Sequence, residues 1–331
     1  GYTATTSDYI TLRSSKLGYV YLDIQTYVPM YLRIKWRNEA NNAGVQTKRI
    51  GRGETVRFEY NMPTETDQEI IVYGGHYLKS LGDVSNLQCT TMLIANADRL
   101  TEIECHSPNL INTDLSSCTK LQKIDISDCP NLGVGIGAQS TLNIQNCNYL
   151  RYCNCMNTGL TAIYTMQKGG NLKEIYYPLS TQVVQLTNQT YLERIGLPFN
   201  EENDEYCKSL ATVQISNCNR VKTLHYPFNE DDEINFKPFK YVQDLLILNS
   251  LEKLDSITFA GFNKLKTISL QALPNLSYIK FDDMMGIDDV STFESILVEN
   301  VPKIKTVTFN ISDNTKYKAA FVEGAIIDLG G

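Results

Sequence analysis

From about residue 90 onward the apolar positions recur in a fixed order. Two apolar residues stand one apart. A small polar residue and a cysteine or apolar residue follow, and then an apolar residue comes at every third position. Leu142, Ile144, Asn146, Cys147, Leu150 and Cys153 show it, and so do Val213, Ile215, Asn217, Cys218, Val221 and Leu224. A third copy is Ile296, Val298, Asn300, Val301, Ile304 and Val307. Leu246, Ile257, Ile268 and Ile279 are eleven residues apart, each with an apolar partner two residues on. Apolar positions with period two predict short strands, and the polar spacers predict turns. Two such halves make one coil, with first-half positions at Met92, Thr113, Leu142, Tyr164, Val184, Val213, Leu246, Ile268 and Ile296. The shortest coil is about 21 residues. Ordering its backbone costs about 20–40 kcal/mol. Its roughly six apolar side chains return about 2 kcal/mol each, so coils fold only when stacked on neighbours. The pattern predicts a mainly β solenoid of about nine two-strand coils over 77–313, with 314–331 a C-terminal cap or the start of a further segment.

Residues 1–76 lack the repeat. Alternation predicts strands at Tyr9–Leu12, Tyr19–Thr26, Met30–Arg37, Val45–Ile50, Thr55–Tyr60 and Glu69–Tyr73, separated by turn segments such as Asn41–Gly44 and Gly51–Gly53. In Met30–Arg37 the inward set is Leu32, Ile34 and Trp36, and the outward set is Tyr31, Arg33, Lys35 and Arg37. Six short strands predict a small β-sandwich that caps the apolar end of the first coil. Its basic outward stripe reads as a solvated sheet face.

The cysteines follow the repeat. Cys118, Cys129, Cys147 and Cys218 take the turn slot beside the small polar residue, and Cys105, Cys153 and Cys155 fall on second strands. A small polar side chain in that turn bonds backbone groups of its own and the next coil. Cysteine suits the slot as a small buried hydrophobe. Zinc and disulfides are the sharper readings. The first lacks CxxC pairs, and the second suits short, core-poor chains. Nine is odd, so at least one thiol stays unpaired within the chain. Prolines at Tyr177-Pro178, Leu197-Pro198 and Tyr226-Pro227 mark second-strand ends.

The segments LTEIECHSPNLINTDLSSCTKLQKIDISDCPNL and TLNIQNCNYLRYCNCMNTGL resemble the leucine-rich repeats of Bacteroidetes surface and secreted proteins. The lead-in EIIVYGGHYLKSL after a β-rich domain is similar to that family's junction. The match is clear over about 87–160 and weaker to 310, where insertions break the period. The resemblance implies a small N-terminal β-sandwich followed by an irregular leucine-rich-repeat solenoid. It also implies an extracellular or cell-surface scaffold for adhesion or partner binding. Related repeats in phages of gut bacteria make a virion structural or host-adhesion protein the alternative.

Composition narrows the partners. A net charge of −7 and pI near 5.2 argue against a nucleic-acid binder, which needs a basic face, and against an anionic membrane surface. No apolar run is long enough to span a membrane. The chain begins at Gly1 without a signal peptide, which leaves room for a leader already removed. Tyrosine is frequent, at twenty residues, and serves strands as well as binding surfaces. Tyr149, Tyr152, Tyr164, Tyr176, Tyr177 and Tyr226 are the candidate surface for a protein or glycan partner, with self-association as a further use.

No GxSxG, HExxH, P-loop or dinucleotide motif occurs. The glycine-rich Gly133–Gly137 has no helix after it to hold phosphate and reads as a tight loop. His76, His106 and His225 have no ligand at metal spacing, and His225 is placed outward. Two near-copies, Pro198–Glu205 and Pro227–Glu233, form acidic loops predicted to stack at one corner, carrying Glu201, Glu202, Asp204 and Glu205, and Glu230, Asp231, Asp232 and Glu233. They splay into solvent, meet a basic partner, or bind calcium through hard oxygens, although their spacing is not that of an EF-hand. Asp282, Asp283, Asp288 and Asp289 invite the same three readings. Paired carboxylates could serve glycoside hydrolysis, but no aromatic platform is visible beside these loops. The sequence predicts a non-enzymatic protein without a cofactor.

Overall fold

The computed structural model describes residues 8–38, 42–228, 234, 236–262, 264–282 and 294–310, and the backbone of 2–3 and 328–330. The chain is mainly β, in several sheets. Among the described residues the helices are the single 3-10 turns Gly75–Tyr77, Ser85–Leu87 and Lys237–Phe239, and no helix is long and apolar enough to cross a membrane. Two compact units form, residues 1–160 with 164–166 and residues 161–163 with 167–331.

In the first unit, alternation sets the antiparallel strands. Met30–Lys35 pairs with Val45–Ile50 and Gln68–Tyr73, and Tyr9–Ser14 pairs with Gln68–Tyr73. Leu32, Ile34 and Trp36 are fully buried. On the other face the Arg33 guanidinium lies 4.2 Å from the Tyr73 ring centre. Gly18–Thr26 pairs with Val56–Met62 in a separate short sheet. Cys89–Leu93, the first strand of the repeat, joins the antiparallel sheet directly, with Met92 opposite Leu12. Its far edge takes Asn112–Asp114 in parallel, with Thr113 opposite Met92. A second parallel row begins at Glu102–Glu104 and continues through Lys123–Asp125 to Tyr152–Asn154, aligning Ile103, Ile124 and Cys153.

In the second unit the same rule runs with few breaks. Val183–Thr187, Thr212–Ser216, Leu245–Asn249, Thr267–Gln271 and Ser295–Glu299 lie side by side in parallel, aligning Val184, Val213, Leu246, Ile268 and Ile296. The intervening halves, Ser256–Ala260, Tyr278–Asp282 and Thr306–Asn310, form another parallel row. Phe259, Phe281 and Phe309 therefore fall in one column, with ring centres 5.2 Å apart at interplanar angles of 14° and 5°. Strands about 4.8 Å apart impose that stacking on any aromatic repeated at one position. The eleven-residue spacing thus alternates between two sheets.

The turns explain the small residues. Asn188, Asn217, Ser250, Ala272 and Asn300 each follow a first-half strand and have φ of 59°, 57°, 57°, 49° and 53°. Asparagine tolerates this left-handed conformation better than most side chains. The reversal lets the N–H of residues 188, 217, 250 and 272 reach the carbonyl of Ser216, Asn249, Gln271 and Glu299 and extend the ladder by one bond. The Asn217 amide also donates to Asn188 Oδ1 at 2.7 Å. This asparagine sits toward solvent, as does Asn146, so its value is conformational more than interior.

The cysteine beside it is interior. All nine cysteines are buried free thiols. Cys118 Sγ donates to the carbonyl of Ile94 at 3.4 Å, Cys129 to Cys105 at 3.3 Å, Cys147 to Cys118 at 3.5 Å and Cys218 to Leu186 at 3.7 Å. Each thiol reaches back to an earlier part of the repeat, filling a small apolar slot and meeting a backbone carbonyl. Desolvation pushes the thiols of Cys89, Cys118, Cys147 and Cys207 up to about 12.

One repeat position is corrected. Ala162 stands opposite Val183, so Ile163 and not Tyr164 aligns with Val184. Ile163 and Thr165 are buried, and Tyr164 is 42% exposed.

Candidate functional site: an aromatic strip beside an acidic turn

The second unit collects seven rings on the row that starts with Glu174–Tyr176 and Arg194–Gly196. Period-two alternation turns Ile175 inward and Tyr176 outward. Tyr176 lies opposite Gly196. A Cβ on Gly196 would stand 2.6 Å from Tyr176 Cδ1, so glycine is what lets that ring lie across the neighbouring strand. Tyr176 meets Tyr226 at 5.9 Å and Phe228 at 5.7 Å, and Tyr226 meets Phe228 edge-on at 5.7 Å. The Arg194 guanidinium lies 5.1 Å from the Phe228 ring centre. His225 links onward, edge-on to Phe228 at 6.4 Å and to Phe199 at 6.2 Å. Phe199 continues to Tyr206 at 6.0 Å, and Tyr206 to Tyr241 at 5.2 Å. Edge-to-face rings at these separations hold one another in place.

The acidic turn lies at the Phe199–Tyr241 end. Asn200 and Glu205 close it with paired backbone bonds of 2.7 and 2.9 Å. Asp204 accepts from Lys208 Nζ at 2.9 Å and from the Tyr241 hydroxyl at 2.8 Å. Lys208 and Tyr241 hold its carboxyl below the usual range. Glu201 pairs with Lys237 at 3.2 Å. Glu202 and Glu205 are exposed. Aromatic rings therefore do flank this acidic turn, contrary to the reading of the sequence. Glu230, Asp231, Asp232 and Glu233 of the second loop lie outside the described residues, as do Asp283, Asp288 and Asp289.

Of the six candidate tyrosines, the fold brings Tyr176 and Tyr226 together. Tyr149 and Tyr152 belong to the first unit, where Lys120 and Lys123 lie 4.5 and 5.8 Å from their ring centres. Tyr177 is a correction. It has no exposure and belongs to the core, because alternation after Ile175 turns it inward. His225, expected outward, is 3% exposed. The strand pattern breaks at Leu224–Tyr226, and the ring is enclosed by Phe199 and Phe228. His106, expected to stand alone, lies beside three carboxylates of the first unit. Sequence reading missed Phe199, Tyr206, Phe228, Tyr241 and Arg194. The Pro-Phe-Asn-Glu motif shared by both loops marked Phe199 and Phe228, and nothing local marked Tyr241. No family model matches the chain, and no curated protein matches it.

Proposed function

We propose that this chain is a non-catalytic binding scaffold of the leucine-rich-repeat type. Its two-strand coils extend from a small N-terminal β-sandwich, and it works at the surface of a bacterium. Its partner is a protein, taken on the strip of Tyr176, Tyr226 and Phe228 with Arg194 beside it. One observation carries this reading: three mutually fixed rings, one of them 40% exposed, lie on a sheet face next to a charged turn. Rigid aromatics with a neighbouring arginine are the residue types that dominate protein interfaces. The parallel rows supply a stiff frame that loses little entropy when a partner docks. The resemblance of residues 87–160 to surface-protein repeats supports the location.

The test compares the intact chain with Tyr226→Ala and Phe228→Ala in capture from the envelope fraction of a gut Bacteroidetes culture. A defined protein held by the parent and released by both variants is the expected result. Capture at equal strength by all three would place the interface elsewhere. Capture abolished by glycosidase treatment would reassign the partner to a glycan.

A further inference from the structure

A second constellation lies in the first unit, away from the aromatic strip in sequence and chemistry. Asp83, Glu104 and Asp125 are each 21 residues apart. The fold sets them in one column, Asp83 bridged to Glu104 and Glu104 opposite Asp125. Like charges facing across adjacent strands are unfavourable. Among the described residues, none of these carboxylates pairs with lysine or arginine. The group that faces them is an imidazole. His106 Nε2 is 3.9 Å from Glu104 Oε2 and 3.9 Å from Asp125 Oδ2. One ligand atom from each of Asp83, Glu104 and His106 lies within 4.8 Å of the others.

The orientation of the ring is fixed. His106 Nδ1 lies 2.8 Å from the carbonyl of Ser127, which can only accept, so Nδ1 carries the proton and the neutral ring turns its Nε2 lone pair to the carboxylates. The oxygens are oriented too. Asp125 Oδ1 takes the Ser127 N–H at 3.2 Å and hydroxyl at 2.7 Å, which leaves Oδ2 toward the ring. Asp83 Oδ1 takes the Ser85 N–H at 3.0 Å and the Ser85 hydroxyl. Ser85 Oγ in turn receives the His106 N–H at 2.8 Å. At 3.9 Å the facing nitrogen and oxygens are too far apart to bond each other. A shared ion with bonds near 2.1 Å would need only a small closure of these side chains. A histidine whose second nitrogen is anchored to a backbone carbonyl is the usual second shell of a metal ligand. The side chains of Asp125, His106 and Glu104 are 16, 29 and 31% exposed, and Asp83 is exposed, so the site is half-buried at His106 and open to water at Asp83.

We propose that Asp83, Glu104 and His106 bind a divalent transition-metal ion, with Asp125 Oδ2 as the fourth ligand atom and third oxygen. The imidazole selects zinc-like ions over calcium and magnesium, which prefer all-oxygen sets. The ion neutralises the column and ties successive strands together, so its role is structural. Burial works against a charged His106 ring, but the Ser127 carbonyl and the carboxylates of Asp125, Asp83 and Glu104 outweigh it and raise the pKa. Protons therefore compete with the metal as pH falls.

The experiment is Co²⁺ and Zn²⁺ titration of the intact chain at about pH 8, where ligand protonation competes least, read by visible absorption and calorimetry. One equivalent is expected to bind, giving cobalt ligand-field bands without a thiolate charge-transfer band. His106→Ala and Glu104→Gln are expected to weaken binding at least about tenfold, by analogy with the loss of ligand support. His76→Ala should leave it unchanged, and circular dichroism confirms that each variant folds. The absence of saturable binding would overturn the proposal, as would equal affinity in His106→Ala, or a thiolate band assigning the ion to cysteines.

Discussion

Tyr177 and Tyr226 are the same residue type at corresponding ends of the same sheet row, yet their surroundings give them opposite duties. Tyr177 is wholly buried, so Tyr177→Ala should cost about 3–5 kcal/mol in urea unfolding. Tyr226 is 40% exposed and touches two rings, so Tyr226→Ala should cost about 1 kcal/mol or less. Equal losses would remove the distinction between core and strip. The thiols allow a second test. All nine are buried, and four are pushed up to about 12. At about pH 8 a thiol-specific disulfide reagent should label the native chain slowly and should label all nine cysteines in denaturant, where the pKa returns to about 8.5.

At the scale of elements, period-two patterning carried most of the information. Val45–Ile50 has its expected ends, and Met30–Lys35 and Gln68–Tyr73 lie within two residues of theirs. The columns Leu246–Ile268 and Ile257–Ile279 were legible because each strand has one apolar face and register follows from it. Tyr164 was misplaced because Ala162-Ile163-Tyr164-Thr165-Met166 offers two apolar phases, and the buried one includes Thr165. The aromatic strip was half legible. Tyr176 shows its side in the strand pattern, whereas Tyr226 does not, because the alternation breaks at Leu224–Tyr226. Tyr241 arrives through a loop whose path is set by tertiary packing, and His106 meets its carboxylates only once the 21-residue register is laid out. The glycine under Tyr176 offers a direct probe. Gly196→Ala should displace that ring, change the near-ultraviolet dichroism and cost about 1–3 kcal/mol, the usual price of overpacking. The left-handed turn offers another. Asn217→Gly should be nearly neutral, whereas Asn217→Ala should lose about 1 kcal/mol in thermal or urea unfolding.

At the scale of the whole molecule, the cysteines are unevenly shared. Seven, from Cys89 to Cys155, lie in the first unit, and Cys207 and Cys218 lie in the second. A thiol with a raised folded pKa stays protonated after its unfolded counterpart has ionised. Its stabilising contribution is therefore full below about pH 8.5 and is lost as pH rises toward 12, at about 1.4 kcal/mol per pH unit for each such thiol. Alkali should accordingly loosen the first unit ahead of the second. Hydrogen exchange followed by mass spectrometry from about pH 8 to 10.5, corrected for the intrinsic rate, would show protection falling first in residues 89–155. The same loss in both units would mean that thiol ionisation does not govern alkaline stability. The acidic turn has a consequence of its own. Asp204 is already held by Lys208 and Tyr241, and Glu201 by Lys237. Glu202 and Glu205 stay exposed, so the turn keeps a net negative charge, and a partner of opposite charge reaching the rings beside it should associate more slowly as salt is added.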